Sequence, residues 1–282
     1  MAYVTTERML LDAQKGGYAI GAFNTENMEA VQAVIAAAEE LRAPVIIQTT
    51  PSMTKYADAA LYYGMVHALA QQAEIPVALH LDHGNSFELA RECVEAGYSS
   101  IMIDGSALPF EENIALTKRV VELCTPKGVC VEAELGKVGG KEDDLEVKDA
   151  GYTEPEEAKE FAGRTGAFSL AVAIGTAHGF YAGTPVLDTD RLTRIRAAVD
   201  APLVLHGASG LSDRDVRECV LRGICKVNFA TELRVAYTEG VEEAFSNNPS
   251  LYDPKEYGSA ARASVKKKAA ERILVCGADG KA

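Results

Sequence analysis

Two histidines and an aspartate lie close together in one short segment, ALHLDHG, at residues 78–84. Imidazole nitrogens bind transition metals, and a neighbouring carboxyl group can donate or accept a proton. The segment begins in an apolar run typical of a buried strand, and Asp82 and His83 fall where that strand would end. Regular alternation puts His80 and Asp82 on one face and His83 on the other, so the segment alone leaves open which histidine binds a metal.

Two further histidines occupy comparable positions far along the chain. His178 follows an apolar run in GTAHGFY, and His206 closes the run LVLH. Three imidazoles with an open fourth position are the ligand set of catalytic zinc, so we predict a metal site of His83, His178 and His206. The alternative, that local hydrogen bonds satisfy each histidine separately, would explain any one of them alone. His67 lies in a helical pattern and is expected to be structural.

Carboxyl groups near the same positions extend this chemistry. Asp104, in MIDGS, and Glu134, in VEAELG, could provide an alternate metal position or accept hydrogen bonds from the imidazole N–H groups. Asp82 adjoins a predicted ligand, and its carboxyl group could reach a substrate oxygen and act as a general acid or base. The alternative for Asp82 is a cap of the turn that follows the strand.

An alternating pattern of strands and helices must position these residues. Eight apolar runs are separated by segments of helical period. They are YAIGAF, VIIQ, VALHL, SIMI, VCVEAEL, SLAVAI, LVLH and CKVNF. Eight β–α units in 282 residues favour a (β/α)8 TIM barrel, a single domain over residues 1–282, over an open sheet. Thr6–Lys15 predicts an extra N-terminal helix, and Tyr257–Cys276 predicts a C-terminal helical extension.

The barrel hypothesis explains where the polar residues fall, because active sites of such barrels lie at the carboxyl ends of the strands. The loops after the seventh and eighth strands often bind phosphate through backbone N–H groups and a helix N-terminus. Here those loops contain HGASG and NFATE, at residues 206–210 and 228–232. Gly207, Ala208 and Ser209 are small enough for close backbone approach, and Thr231 could add a hydroxyl group. The long connection Gly136–Pro155 could be a lid or simply a solvated loop.

Composition narrows the classes of partner. The formal net charge is −13, and the one dense basic cluster is Lys266–Lys268 on a predicted helix, so we expect no nucleic-acid partner. No apolar run approaches the roughly 20 residues that span a bilayer, and the N-terminal segment lacks the pattern of a secretory signal. We therefore expect a cytoplasmic protein without a membrane partner, with its six cysteines as reduced thiols.

Taken together, these motifs resemble the class II, metal-dependent ketose-bisphosphate aldolases. The similar segments, in the order of the family, are HLDHG, MIDGS, VEAELGKVGGKEDD, AVAIGTAHGFY, LVLHGASGLS and KVNFATEL. The resemblance runs nearly end to end. The segments GTAHG, HGASGLS and GICKVNFATEL are most similar to the tagatose-bisphosphate branch, whereas TTPSMTKYAD matches neither branch.

The resemblance implies a role for each matching residue. His83, His178 and His206 would bind one catalytic Zn²⁺ per subunit, Asp82 would exchange a proton with the C4 hydroxyl of the substrate, and Glu142 would assist proton transfer. The residues implied in substrate binding are Asn24, Thr50, Gly179, Gly207, Ala208, Ser209, Asn228, Phe229, Ala230 and Thr231. Asp104 and Glu134 match a second metal position. Phe229 is bulkier than the expected Val or Ile, which a backbone donor would tolerate.

The implied reaction is reversible cleavage of a ketose 1,6-bisphosphate, with tagatose favoured over fructose, to dihydroxyacetone phosphate and glyceraldehyde 3-phosphate. The resemblance also implies a homodimer or homotetramer, a companion subunit in some members, and a monovalent cation such as Na⁺ or K⁺. The alternatives are an aldolase for another phosphorylated ketose, a zinc hydrolase on the same barrel, and an activating subunit. A lysine-based aldolase is a further alternative, because alternation allows Lys226 to point inward.

Overall fold

The computed structural model describes residues 2–142, 145–147, 151–181 and 183–282. The described strands, in chain order, are β1 (Ile20–Asn24), β2 (Val45–Thr49), β3 (Val77–Gly84), β4 (Ser100–Ile103), β5 (Cys130–Leu135), β6 (Gly139–Glu142), β7 (Leu145–Val147), β8 (Ser169–Val172), β9 (Ala177–His178), β10 (Leu203–Leu205) and β11 (Ile224–Phe229). Eight of them close into a parallel barrel in the spatial order β1-β11-β10-β8-β5-β4-β3-β2, while β7, β6 and β9 form a small separate sheet. The predicted TIM barrel is confirmed.

Helices surround the barrel. They are α1 (Thr6–Gly16), α2 (Met28–Glu40), α3 (Pro51–Tyr56), α4 (Ala59–Ala70), α5 (Phe87–Ala96), α6 (Phe110–Cys124), α7 (Pro155–Thr165), α8 (Thr189–Ala198), α9 (Asp213–Leu221), α10 (Thr231–Asn247) and α11 (Pro254–Cys276). The second β–α unit contains two helices, α3 and α4, because Asp58 caps a new helix through the Leu61 N–H at 2.8 Å. No helix of the described residues is both long and apolar enough to cross a membrane.

The terminal helices agree with the sequence pattern. The extra helix α1 precedes the first strand as predicted. The C-terminal helix α11 begins earlier than predicted, at Pro254, because Asp253 caps it and proline is favoured at the first helical position. It packs against α10 and α2.

The barrel has two interiors of different chemistry. Every residue of the eight barrel strands with a described side chain is buried, as expected where helices cover one face and the barrel lumen the other. The large apolar core fills the space between strands and helices. A small separate apolar cluster of Met102, Ala171 and Val204 lies beside buried polar side chains, since Met102 pairs with Glu132 and Val204 with Lys226. The lumen thus contains polar side chains as well, including His80 and Lys226.

Candidate active site

Three histidine rings converge at the mouth of the barrel. His83 lies at the end of β3, His178 in β9 and His206 directly after β10. The ring centroid of His83 lies 4.9 Å from that of His178 and 4.6 Å from that of His206. One ring nitrogen from each histidine lies within 4.8 Å of the other two. The structure thus brings together the three ligands predicted from sequence.

The hydrogen bonds of two of these rings fit a metal site. His83 Nδ1 lies 2.9 Å from Asp104 Oδ2, and His206 Nε2 lies 2.9 Å from Glu132 Oε1. A carboxylate only accepts, so each of these nitrogens carries the ring proton. The opposite nitrogens, His83 Nε2 and His206 Nδ1, then face each other with their lone pairs at 2.8 Å. Such facing lone pairs suit a cation between them, and neutral imidazole nitrogens are ligands that zinc takes in catalytic sites.

A local irregularity of β3 directs His83 into this site. The φ angle of His83 is +48°, in the left-handed region, and the pairing of β3 with β4 shifts register between Leu81 and Gly84. A side chain at Gly84 would collide with the backbone carbonyl of Met102, so glycine permits the close approach of the two strands. The bulge breaks the alternation, which allows His83 and Asp82 to serve the same mouth.

Amide side chains hold Asp82 in place. Asn24 Nδ2 donates to Asp82 Oδ2 at 2.9 Å, and Asn228 Nδ2 donates to Asp82 Oδ1 at 3.0 Å. Gln48 Nε2 donates in turn to Asn24 Oδ1 at 2.8 Å. Asp82 is 1% exposed, so its carboxyl group is fixed by neutral donors within the protein. Sequence reasoning missed Gln48, whose only signal is a polar residue inside the apolar run of β2.

Asp104 and Glu134 lie next to His83, and Glu134 Oε2 is equally far, 3.9 Å, from His83 Nδ1 and His206 Nδ1. With His83 they form a second group whose possible ligand atoms lie within 4.8 Å of one another. Burial raises the pKa of Asp104, but the hydrogen bonds from His83 and Ser106 outweigh it and leave that pKa below its ordinary value. Burial and the nearby Asp104 charge both raise the pKa of Glu134 well above its ordinary value. This group could hold a metal as an alternative to the three histidines.

Lys226 does point into the lumen, as alternation allowed. Its Nζ lies 2.9 Å and 3.1 Å from the two carboxylate oxygens of Glu132, and its side chain has no exposed surface. An ammonium group that is buried and paired is a poor nucleophile, because attack on a carbonyl needs the free amine. The geometry therefore disfavours Lys226 as a Schiff-base residue.

The two predicted phosphate loops meet beside the histidines. Ser209 Oγ accepts a hydrogen bond from the Ala230 N–H at 3.1 Å, which joins the loop after β10 to the start of α10. Gly207 has φ +67°, and a Cβ there would lie 2.6 Å from the Ala177 carbonyl oxygen. A small cleft between the loops is lined by His178, Gly179, Gly207, Ser209, Asn228, Ala230 and Thr231.

Two of the residues predicted to bind substrate, Phe229 and Ala208, have side chains buried in the apolar core, so only their backbone groups could face a ligand. The Phe229 ring stacks on Phe23 at 5.6 Å within the apolar core, which explains why a bulky side chain is tolerated there. Ala208 is buried in the same core. Sequence reasoning missed Tyr181, whose hydroxyl accepts from the Ala177 N–H at 2.9 Å and donates to the Gly207 carbonyl at 2.7 Å.

The remaining predicted residues lie at the same rim. Thr50 follows β2, precedes α3 and is 1% exposed. Glu142 ends β6, and β6 pairs with β9 so that Gly140 is opposite His178. The backbone of Glu142 thus lies near the histidines, while its side chain is outside the part of the chain that the structure describes.

Comparison with known proteins connects this site to one family. The family described as fructose-bisphosphate aldolase class-II matches residues 4–281. The YdjI aldolase from Escherichia coli K12 is 40% identical in sequence, with 99% of each chain covered and a TM-score of 0.89. A Coccidioides immitis protein, provisionally named a fructose-1,6-biphosphate aldolase, is 32% identical over 97% of this chain and 96% of that chain, with a TM-score of 0.90. Fructose-bisphosphate aldolase from Campylobacter jejuni shares the fold, with 24% identity, coverage of 100% and 97%, and a TM-score of 0.85.

Proposed function

Since this chain belongs to the class II fructose-bisphosphate aldolase family and is an aldolase, a carbon–carbon lyase, we propose that its substrate is a ketose 1,6-bisphosphate. The products would be dihydroxyacetone phosphate and glyceraldehyde 3-phosphate. One observation carries the proposal: the imidazole nitrogens of His83, His178 and His206 converge beside a buried Asp82, next to two loops suited to phosphate.

The three histidines would hold one zinc ion. When bound, zinc supplies a Lewis acid that stabilises the negative charge left on the three-carbon ketone. Asp104 and Glu134 would hold a displaced or second metal. A monovalent cation such as Na⁺ or K⁺ is a further part of the proposal.

Asp82 would carry the central proton transfer. As the C3–C4 bond breaks, the C4 hydroxyl gives its proton to the Asp82 carboxylate and becomes the aldehyde, while the bonding electron pair goes to the three-carbon fragment. The amides of Asn24 and Asn228 aim both carboxylate oxygens at fixed positions, which lowers the cost of reaching the reactive geometry. Glu142 would then move a proton to the three-carbon fragment.

The loops after β10 and β11 would bind the phosphate of dihydroxyacetone phosphate. Gly179, Gly207, Ala208 and Ser209 would contribute from one side, and Asn228, Phe229, Ala230 and Thr231 from the other. Thr231 begins α10, whose first N–H groups favour an anion. Asn24 and Thr50 would line the remainder of the substrate site.

Tagatose 1,6-bisphosphate is our favoured substrate, because GTAHG and HGASGLS are most similar to that branch. Fructose 1,6-bisphosphate is the second candidate, supported by the family description. The test is a side-by-side measurement of kcat/KM on the two bisphosphates with zinc-loaded protein. A larger value on tagatose bisphosphate supports the first choice, and a larger value on fructose bisphosphate selects the second.

The same assay tests the function as a whole. If neither bisphosphate is cleaved, with or without a companion subunit, the substrate proposal fails, and another phosphorylated ketose, a zinc hydrolase or an activating subunit takes its place. Borohydride trapping of a substrate on Lys226 would instead support the lysine mechanism. We further propose a cytoplasmic homodimer or homotetramer, which light scattering of the purified protein tests.

A further inference from the structure

Beneath the three histidines, the lumen contains a chain of buried hydrogen bonds that the proposed reaction does not use. Lys226 Nζ binds both carboxylate oxygens of Glu132 and lies 3.4 Å from His80 Nε2. His80 Nδ1 lies 2.8 Å from Ser100 Oγ. At its upper end, Glu132 Oε1 reaches His206 Nε2 at 2.9 Å. Lys226, His80 and His206 have no exposed surface, and Glu132 is 1% exposed.

In this series of hydrogen bonds, the ammonium group of Lys226 determines which atoms donate and which accept. Lys226 only donates, so the facing His80 Nε2 accepts, and the His80 proton sits on Nδ1 toward Ser100. An ionised Glu132 only accepts, so the proton of His206 sits on Nε2. Its other nitrogen, Nδ1, is left as a lone pair directed at the metal position. Asn228 Nδ2, which donates one hydrogen to Asp82, also lies 3.2 Å from His206 Nε2, but Glu132 Oε1 is nearer to that nitrogen, at 2.9 Å.

We propose that Lys226 is a positioning residue for the metal site: it holds Glu132 as a charged acceptor and thereby fixes the tautomer and orientation of His206. Carboxylates that accept from the second nitrogen of a ligating histidine are known to influence metal affinity. Here the acceptor is itself buried, so it needs the opposite charge of Lys226 nearby. This inference rests on the metal site of the proposed function and adds a residue that touches neither metal nor substrate.

A purely structural role explains the arrangement less well. Buried ion pairs are weak evidence for stability, since apolar residues of similar volume are often as good or better. The same lumen already packs Met102, Ala171 and Val204 as an apolar cluster. The pair instead aims one carboxylate oxygen at a predicted metal ligand, which a stabilising role does not require.

Zinc affinity in a small set of variants tests the proposal. Lys226→Met removes the charge with little change in length, and we expect zinc binding, measured by competition with a chelator, to weaken by roughly 10–100-fold. The double variant Lys226→Met/Glu132→Gln keeps an amide oxygen that can accept from His206 without a buried charge, so it should recover most of the affinity. Arg191→Met, which breaks the ion pair between Arg191 of α8 and Asp188 just before that helix, is the control and should bind zinc normally.

Two results would overturn the inference: wild-type zinc affinity in Lys226→Met, or a double variant that binds no better than the single one. Should Lys226→Met not fold, nitrogen NMR of zinc-loaded wild-type protein decides, because a His206 without a proton on Nε2 contradicts the proposal. Wild-type protein that binds no zinc would overturn the metal site and both proposals together. Normal affinity in Lys226→Met removes this inference alone and leaves the proposed aldolase intact.

Discussion

Glu132 and Glu134 occupy alternate positions of β5 and point into the same lumen, but they have opposite electrostatic surroundings. Burial raises the pKa of Glu132, yet the Lys226 ammonium and the His206 hydrogen bond outweigh it, and that pKa lies below its ordinary value. Glu134 lies near Asp104 instead, and burial with that like charge raises its pKa. Its Oε2 atom has no hydrogen-bond partner among the described residues.

The difference separates two layers of the lumen that share His206. The lower layer, with Glu132 and Lys226, has its hydrogen bonds and charges paired within the protein. The upper layer, with Asp82, His83 and Glu134, faces the predicted metal position. In the lower layer every charge of Glu132 and Lys226 is compensated within the protein. In the upper layer, Glu134 Oε2 lies 3.9 Å from His206 Nδ1, too far for a hydrogen bond but close enough to share a cation with that nitrogen. Two identical side chains therefore differ in role because of their neighbours: Glu132 accepts a hydrogen bond from His206, whereas Glu134 could bind a cation.

The largest effect should come from His206, which both layers share. His206→Ala removes a ligand and leaves Glu132 without its imidazole partner, so we expect loss of bound zinc and a fall in turnover beyond the ~10²–10⁴-fold typical of a lost general base. Metal analysis and kcat are the measurements. His67→Ala, on α4 against the Tyr3 ring, is the matched control. Retained activity in His206→Ala with full metal occupancy would contradict the ligand assignment.

Asp82 belongs to the upper layer only, so its removal should separate chemistry from metal binding. Asp82→Ala should fold and bind zinc but lose turnover by roughly 10²–10⁴-fold, because the proton acceptor at the C4 hydroxyl is gone. The measurement pairs kcat with zinc content on the same preparation. Turnover within a few-fold of wild type would show that another group accepts the proton.

Paired glutamine variants test the two layers directly in chelator-treated protein. Glu132→Gln leaves Lys226 as an uncompensated buried charge, and should lower the free energy of unfolding at pH 7 by about 3–5 kcal/mol. Glu134→Gln should be neutral or stabilising, since burial already disfavours the charged carboxylate that it replaces. Urea unfolding measures both. Equal destabilisation by the two variants would abolish the distinction between layers.

The sign of the pH dependence sharpens the same contrast. A raised pKa in the folded state means that Glu134 contributes most below its unfolded value of about 4.3, and that this contribution is lost as pH rises toward the folded pKa. In metal-free protein, the free energy of unfolding of Glu134→Gln relative to wild type should therefore increase as the pH rises above about 4.3, which urea unfolding at a series of pH values measures. A difference that shrinks with rising pH would reverse the assigned direction.

The smallest effect is expected outside both layers. Ser209→Ala removes the hydrogen bond that joins the two phosphate loops, worth about 1 kcal/mol, so KM for the bisphosphate should rise by roughly fivefold. Zinc affinity should stay unchanged, because Ser209 contacts none of the three histidines through a described hydrogen bond. A parallel loss of zinc would show that the phosphate loops and the metal site are not independent.

Much of the site was accessible from sequence, because periodicity records which residues end a strand. The eight apolar runs place His83, His178 and His206 at one rim once a barrel is assumed, and the described structure brings them together. Local capping is equally predictable: Asn27 accepts from the Ala30 N–H at 3.0 Å, as its position before α2 indicates.

Tertiary structure decided how those residues are aimed and paired. The inward direction of His83 depends on a register shift between β3 and β4, which strand alternation does not contain. The partner of Glu132 lies 94 positions away on β11, and only closure of the barrel brings Lys226 within hydrogen-bond distance. Sequence determined which chemical groups reach the mouth, since periodicity is local. Their protonation and orientation depend on long-range contacts, since charge and hydrogen bonding act through space.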